Sequence, residues 1–102
     1  MLVKIHKSYR TLVAICDSNL VGKKFEEKFE KGIRQLDIRE NFYKGEEKTC
    51  KEVIEIIKRQ SIEDATFNIV GKESIKAALE AGIITKTGIK HIQGIPYALV
   101  LL

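Results

Sequence analysis

Two histidines and two cysteines are the side chains of this 102-residue sequence best suited to proton transfer or nucleophilic attack. An imidazole titrates near neutral pH, so His6 or His91 could serve as a general base. Neither stands at a metal-ligand spacing from Cys, Asp or Glu, and no Ser-His-Asp order or nucleophile elbow is present. Cys16 and Cys50 form no Cys-x-x-Cys pair, which leaves no zinc or redox motif, and free cysteines in apolar patterns act as small buried hydrophobes. The paired acids Glu26-Glu27 and Glu46-Glu47 read as solvated faces and helix-start charges, because adjacent helical residues point apart. No metal and no cofactor is expected.

Phosphate chemistry is suggested by two Gly-Lys dipeptides, Gly22-Lys23 and Gly71-Lys72. A phosphate-cradling loop needs an earlier glycine and a Ser or Thr directly after the lysine; here Lys24 and Glu73 follow, which excludes a P-loop nucleotidase. Gly71 and Lys72 keep a weaker reading as an anion site, since a strand-glycine-helix junction presents free N–H groups. An ordinary strand-to-helix turn, with Glu73 near the helix dipole, explains the same residues. A basic and aromatic cluster follows another logic. Lys23, Lys24, Lys28 and Lys44 would neutralise phosphates while Tyr43 stacks on an unpaired base, pointing to RNA or a ribonucleoprotein. Against it, Phe25, Phe29 and Phe42 suit a core, and interleaved glutamates offset the lysines. An enzyme would need a pocket formed by His91, Gly94, Pro96 and Tyr97, with His91 or His6 meeting a carboxylate or Cys16.

These residues need elements to carry them. Residues 2–6 and 11–16 are β-branched-rich and predict an N-terminal hairpin; pairing His6 with Thr11 would put His6 and Cys16 on opposite faces. Lys23 to Lys31 predicts a helix with Phe25 and Phe29 stacked four apart and Gly32 as its stop. Residues 33–38 favour a strand, and Asn41 to Gly45 a loop. The clearest helix runs from about Glu46 to Arg59, with Cys50, Val53, Ile54 and Ile57 as one apolar stripe. Ala65–Val70 predicts a strand, Lys72–Ala81 a helix capped by Gly82, and Ile89–Ile92 a short strand. Gly94-Ile95-Pro96 would turn the chain into a last strand, Tyr97–Leu102, apolar on both faces and therefore interior.

Composition bounds the whole. With 44% apolar and 31% charged residues and seven glycines, residues 1–102 fit one domain with its own core, neither disordered nor dependent on disulfides. The expected architecture is α+β: a mixed sheet of five to six strands with two to three helices packed on it. No apolar run approaches a membrane span, and the first residues lack the features of a secretory leader, so a reducing cytoplasm is the expected setting. The formal charge of +4 is uneven: residues 1–51 hold twelve Lys/Arg against eight Asp/Glu, and residues 52–102 hold six of each. A basic first half suggests an anionic partner.

The order of landmarks carries a resemblance. Val-Lys-Ile-His, Cys-Asp, Leu-Val-Gly-Lys-Lys-Phe, Leu-Asp-Ile, Phe-Tyr-x-Gly-Glu, Asn-x-Val-Gly and Gly-Ile-Pro recur along essentially the full chain. Together they resemble an archaeal family of about 100 residues known as domain of unknown function 424. The resemblance implies a small cytoplasmic α/β protein and brings no activity, cofactor or substrate with it. That family often has His after its Gly-x-Pro; Tyr97 stands there in this chain, which weakens a catalytic imidazole at that place. The leading expectation is a non-catalytic binding module for RNA or a ribonucleoprotein. The alternatives are a protein-interaction module or self-associating oligomer, and a small enzyme.

Overall fold

A computed structural model describes every residue from Met1 to Leu102. The two β-branched runs at the start form β1 (Leu2–His6) and β2 (Leu12–Cys16), paired antiparallel. Their register differs by one residue from the expected one: His6 opposes Leu12, and Leu2 opposes Cys16. His6 and Cys16 therefore share a sheet face, at opposite ends of the hairpin. Burial explains the shift. It gathers Val3, Val13 and Ile15 into one core and leaves Ala14 and Cys16 to a second core across the sheet; a one-residue slip would mix the two sets.

Residues 23–31, expected as a helix, are instead mostly strand. β3 (Lys24–Phe29) pairs antiparallel with β4 (Gly32–Asp37) through the two-residue link Glu30-Lys31, as a separate two-stranded sheet. Phe25 and Phe29 still lie on one face, because a spacing of four is even and satisfies the two-residue period of a strand as well as a helical turn. The decision is non-local: Leu36 is buried and Phe25 half-buried against Leu20 and Ile38. The expected loop at 41–45 contains a one-turn helix, α1 (Glu40–Tyr43).

The expected helix from Glu46 begins later. Glu46–Glu47 form β5, a two-residue strand beside β1, and α2 runs from Cys50 to Ile62. Its start is set by a reciprocal capping box. Thr49 Oγ1 accepts from the Glu52 N–H at 3.2 Å, and the Glu52 carboxylate accepts from the Thr49 N–H at 3.0 Å. The stripe itself is as expected, with Val53 and Ile57 fully buried. β6 (Thr66–Val70) leads into α3 (Lys72–Ala81), which stops at Gly82 in the left-handed conformation (φ 81°). The last hairpin, β7 (Lys90–Ile92) and β8 (Ile95–Val100), turns on Gln93 and Gly94, both at positive φ, as a two-residue hairpin link requires. Pro96 lies inside β8, beyond the turn assigned to it from sequence.

Six strands form one mixed sheet in the order β5-β1-β2-β6-β8-β7, with β2 and β6 parallel and every other pair antiparallel. The α+β expectation holds. Helices α2 and α3 supply one core; α1 and the base of the β3–β4 hairpin supply the other. The two-sided cover expected for the last strand is incomplete: β8 is interior to the sheet, yet Leu99 is 58% exposed, because the second face is covered only near Ile95 and Tyr97. No helix is long and apolar enough to cross a membrane.

The second core encloses two titratable groups. Burial pushes the Cys16 thiol from 9.0 up to about 11 and the Tyr43 phenol from 10.0 up to about 12. Both are neutral when protonated, so the fold favours their protonated forms. Their contribution is complete below pH 9.0 and is lost as pH rises through about 11 and then about 12. Stability followed by circular dichroism is thus expected to fall only above pH 9.0 on account of this pair. At pH 8, a thiol reagent is expected to label half-buried Cys50 and to reach Cys16 only on unfolding.

Candidate functional site

The largest cavity is a groove of about 710 Å³ between the outer edge of the main sheet and α2. Its floor is apolar, formed by Val3, Ile5 and Ile56. Gly45 shapes one end. A Cβ there would fall inside van der Waals distance of the Val3 carbonyl, so only glycine lets the chain press against β1 before β5 begins. Gly45→Ala is expected to push β5 off β1 and cost about 1–3 kcal/mol, read as a lower denaturant midpoint and loss of amide protection at Glu46 and Lys48.

The groove walls are charged. Among the acids, Glu46 pairs with Lys48 at 3.0 Å, and Glu52 is engaged at the helix cap. Glu46 in turn holds the Lys48 ammonium above its ordinary 10.5. Lys51 and Arg59 have no carboxylate partner, and the Lys4 ammonium bonds the neutral Asn41 carbonyl at 2.6 Å. A hydrogen bond from an N–H leaves Glu52 its charge, so the lining sets Lys4, Lys48, Lys51 and Arg59 against Glu46, Glu52 and Glu55 and is close to balanced.

The anion site expected at Gly71 and Lys72 is already filled by the chain itself. Asp17, at the end of β2, accepts from the N–H groups of Glu73 and Ser74 at 3.1 and 2.9 Å and from the Ser74 hydroxyl at 2.8 Å. The helix terminus does attract a carboxylate, as its dipole and unpaired donors require. No phosphate can enter without displacing Asp17.

The basic cluster is not drawn together with an exposed ring. Tyr43 is buried among Cys16, Leu20 and Ile38, which withdraws it as a stacking platform. Lys44 pairs with Glu40 at 3.0 Å, and Lys24 lies 3.8 Å from Glu26. Lys23 and Lys28 keep free ammonium groups on or beside the β3–β4 hairpin, where Glu26, Glu27 and Glu30 alternate with them. The proposed enzyme pocket does not assemble either. His91 is exposed on β7 opposite a buried Pro96, and none of the three main cavities is lined by His91, Gly94, Pro96 or Tyr97. His6 stacks on Phe42 with centroids 4.8 Å apart, and its Nε2 lies 2.9 Å from the Phe42 carbonyl. Neither imidazole meets a carboxylate or a thiol. Nor does any cluster of three His, Cys, Asp or Glu form a metal cage.

A family model described as "Protein of unknown function (DUF424)" matches residues 6–102, nearly the whole chain. The chain belongs to this family. A solved structure, an uncharacterized conserved protein from Methanopyrus kandleri, is 27% identical and covers 98% of this chain and 90% of its own, with a TM-score of 0.78. No curated protein matches. In this DUF424 chain the groove residues Ile5, Lys51, Ile56 and Arg59 were not singled out by motif. The available signal was the row Lys51, Glu55, Arg59, spaced by four along α2 and so aligned on one face.

Proposed function

We infer that this chain is a non-catalytic binding module, and that its binding surface is the groove between β1 and α2. The observation that carries this reading is the groove itself. Its volume falls within the range of ligand sites, and neither histidine and neither cysteine of the chain lines it. An apolar floor with a charged rim is the anatomy of a protein-recognition site. With Tyr43 in the core, the RNA reading keeps the free lysines Lys23 and Lys28 but no stacking ring from this cluster. Selection of displayed twelve-residue peptides on the chain tests the reading, with a single-stranded RNA titrated at two salt concentrations in parallel. Peptides are expected to be recovered on the native chain and lost on an Ile56→Glu variant that retains its circular dichroism. The reading is overturned if no peptide is recovered while RNA binds with a steep salt dependence that Lys23→Ala and Lys28→Ala reduce by about one unit of slope each.

A further inference from the structure

The second face of the main sheet is open at one end. Its cover of α1 and the β3–β4 hairpin reaches Ala14, Cys16, Val70 and Ile92, all of them buried. Past these the cover stops: Leu99 is exposed, and Leu12, Thr66 and Asn68 are only half-buried. Strand pairing sets them side by side, Leu12 against Thr66 and Asn68 against Leu99. The Thr66 hydroxyl and the Asn68 amide make no hydrogen bond within the chain. The open floor thus joins aliphatic surface to unused donors and acceptors. Rings bound it. On the β1 side His6 stacks on Phe42, and on β8 stands Tyr97, all three half-buried. At the open end the β1–β2 loop carries Tyr9, fully exposed between Lys7 and Arg10.

Charge divides across the same sheet. The strands project Lys4 and Lys90 onto this face, and the one acid they add, Glu47, lies at the covered end and accepts from the Ser18 hydroxyl. Residues 1–16 contain no acid. Lys7 and Lys90 have no partner, Lys4 bonds a neutral carbonyl, and Arg10 lies 3.4 Å from the Leu102 carbonyl. The cover is basic too: residues 18–45 hold seven Lys/Arg against five Asp/Glu. Residues 50–81, which carry α2 and α3 on the opposite face, hold five against six. The positive excess of the chain is therefore gathered on the side away from those helices.

We propose that this open sheet face binds single-stranded nucleic acid, with phosphates along Lys4, Lys7 and Lys90 and bases on the floor and its rings. The site is separate from the groove beside α2 and does not depend on it. Phosphates bind cations that no carboxylate neutralises, and a basic side draws a polyanion from a distance. An unpaired base has an apolar face and a polar edge. Leu12, Leu99 and the rings meet the face, while Thr66 and Asn68 meet the edge. The floor is flat: none of the three main cavities is lined by Thr66 or Asn68, which suits bases laid on a sheet better than an enclosed small molecule. From β1 to β8 four strands span about 14 Å, the kind of platform that holds about two or three bases. A duplex keeps its bases stacked inside and would reach only the cations.

The test titrates the full chain into a fluorescently labelled twelve-nucleotide single-stranded RNA of mixed sequence, and into the same RNA annealed to its complement, with anisotropy as the readout. The single strand is expected to bind at least about tenfold tighter than the duplex. Lys7→Glu with Lys90→Glu, both exposed, is expected to weaken binding at least about tenfold. Lys58→Glu with Lys76→Glu makes the same change of charge on exposed residues of α2 and α3 and is expected to weaken it less than about threefold. Tyr9→Ala removes a fully exposed ring and is expected to weaken binding about fivefold or more, the loss of one stacked base. Nuclear magnetic resonance locates the site with no substitution at all: the Asn68 side-chain amide and the backbone amides of Thr66 and Leu99 are expected to shift with RNA, and that of Val53 in the helical core to stay. Ile56→Glu, which closes the groove to peptides, is expected to leave RNA affinity within about threefold, so the two surfaces fail separately. Equal losses from the two charge reversals, or a duplex bound as tightly as the single strand, would reduce the face to an unspecific polyanion surface and overturn the proposal. RNA bound with Asn68 unshifted, or no RNA bound, would overturn it as well. A concentration-dependent dimer that shields Asn68 and Leu99 without RNA would assign the face to a second copy and overturn it too.

Discussion

Gly71→Ala is expected to destabilise the fold by about 2–5 kcal/mol, and replacing Asp17 in that variant is expected to add less than its own separate cost. Gly71 holds φ 108° and ψ 156°, a conformation that other residues reach only with strain. A Cβ there would also collide with the Asp17 carboxylate, the group that caps α3. Alanine therefore introduces strain and ejects the cap in one step. Asp17→Ala alone loses three hydrogen bonds and leaves the fully buried Ser74 hydroxyl without its acceptor, an expected cost of about 2–4 kcal/mol. The two costs overlap, because the cap can be lost only once and the collision vanishes with the carboxylate. The double variant is expected to be more stable than the sum of the single losses implies, by 1 kcal/mol or more on the order of a typical coupling between touching residues. Denaturant midpoints of the four proteins measure it. Additive losses would show that Asp17 does not hold α3.

Phe67→Ala carries an expected loss of about 3–5 kcal/mol. Phe67 is fully buried as the second residue of β6, opposite Val13 of the parallel neighbour and Val100 of the antiparallel one. Its ring belongs to the core under α2 and α3, whose other members from those helices are Val53, Ile57, Ile75, Ala77 and Ala78. The small alanines of α3 let that helix lie close to the sheet, so little side-chain volume is at hand to refill the space. For a domain of this size the loss corresponds to a melting temperature lower by roughly 12–40 °C. Against a total stability of about 5–15 kcal/mol, it is three fifths or more of the whole at the low end. A fall of only a few degrees would mean that the helices collapse onto the cavity.

Position in the fold explains which candidate residues kept their expected roles. The free N–H groups at the start of α3, those of Glu73 and Ser74, hold a carboxylate of the chain itself and not an outside anion. The carboxylate comes from Asp17, fifty-odd residues earlier, and only the parallel pairing of β2 with β6 sets the two strand ends side by side. Tyr43 failed as a stacking platform for a related reason. An aromatic in a polar stretch reads as exposed, but α1 turns it inward over Cys16, where the core needs its volume. Lys44, its neighbour in sequence, remains outside and pairs with Glu40.

What the sequence determined alone is what neighbours along the chain decide. The apolar stripe of α2, the span Lys72–Ala81 of α3 with Gly82 beyond it, and the alternating run of β6 depend on periodicity and caps within a few residues. The tertiary structure decided everything that depends on a partner far away. A spacing of four between Phe25 and Phe29 suits a helix and a strand equally, and pairing with β4 chose the strand. The register of β1 on β2 was chosen by two cores that must be filled at once. The groove needs β1, Gly45 and α2 in one place, and no stretch of sequence contains all three, because residues far apart along the chain meet only through strand pairing and packing.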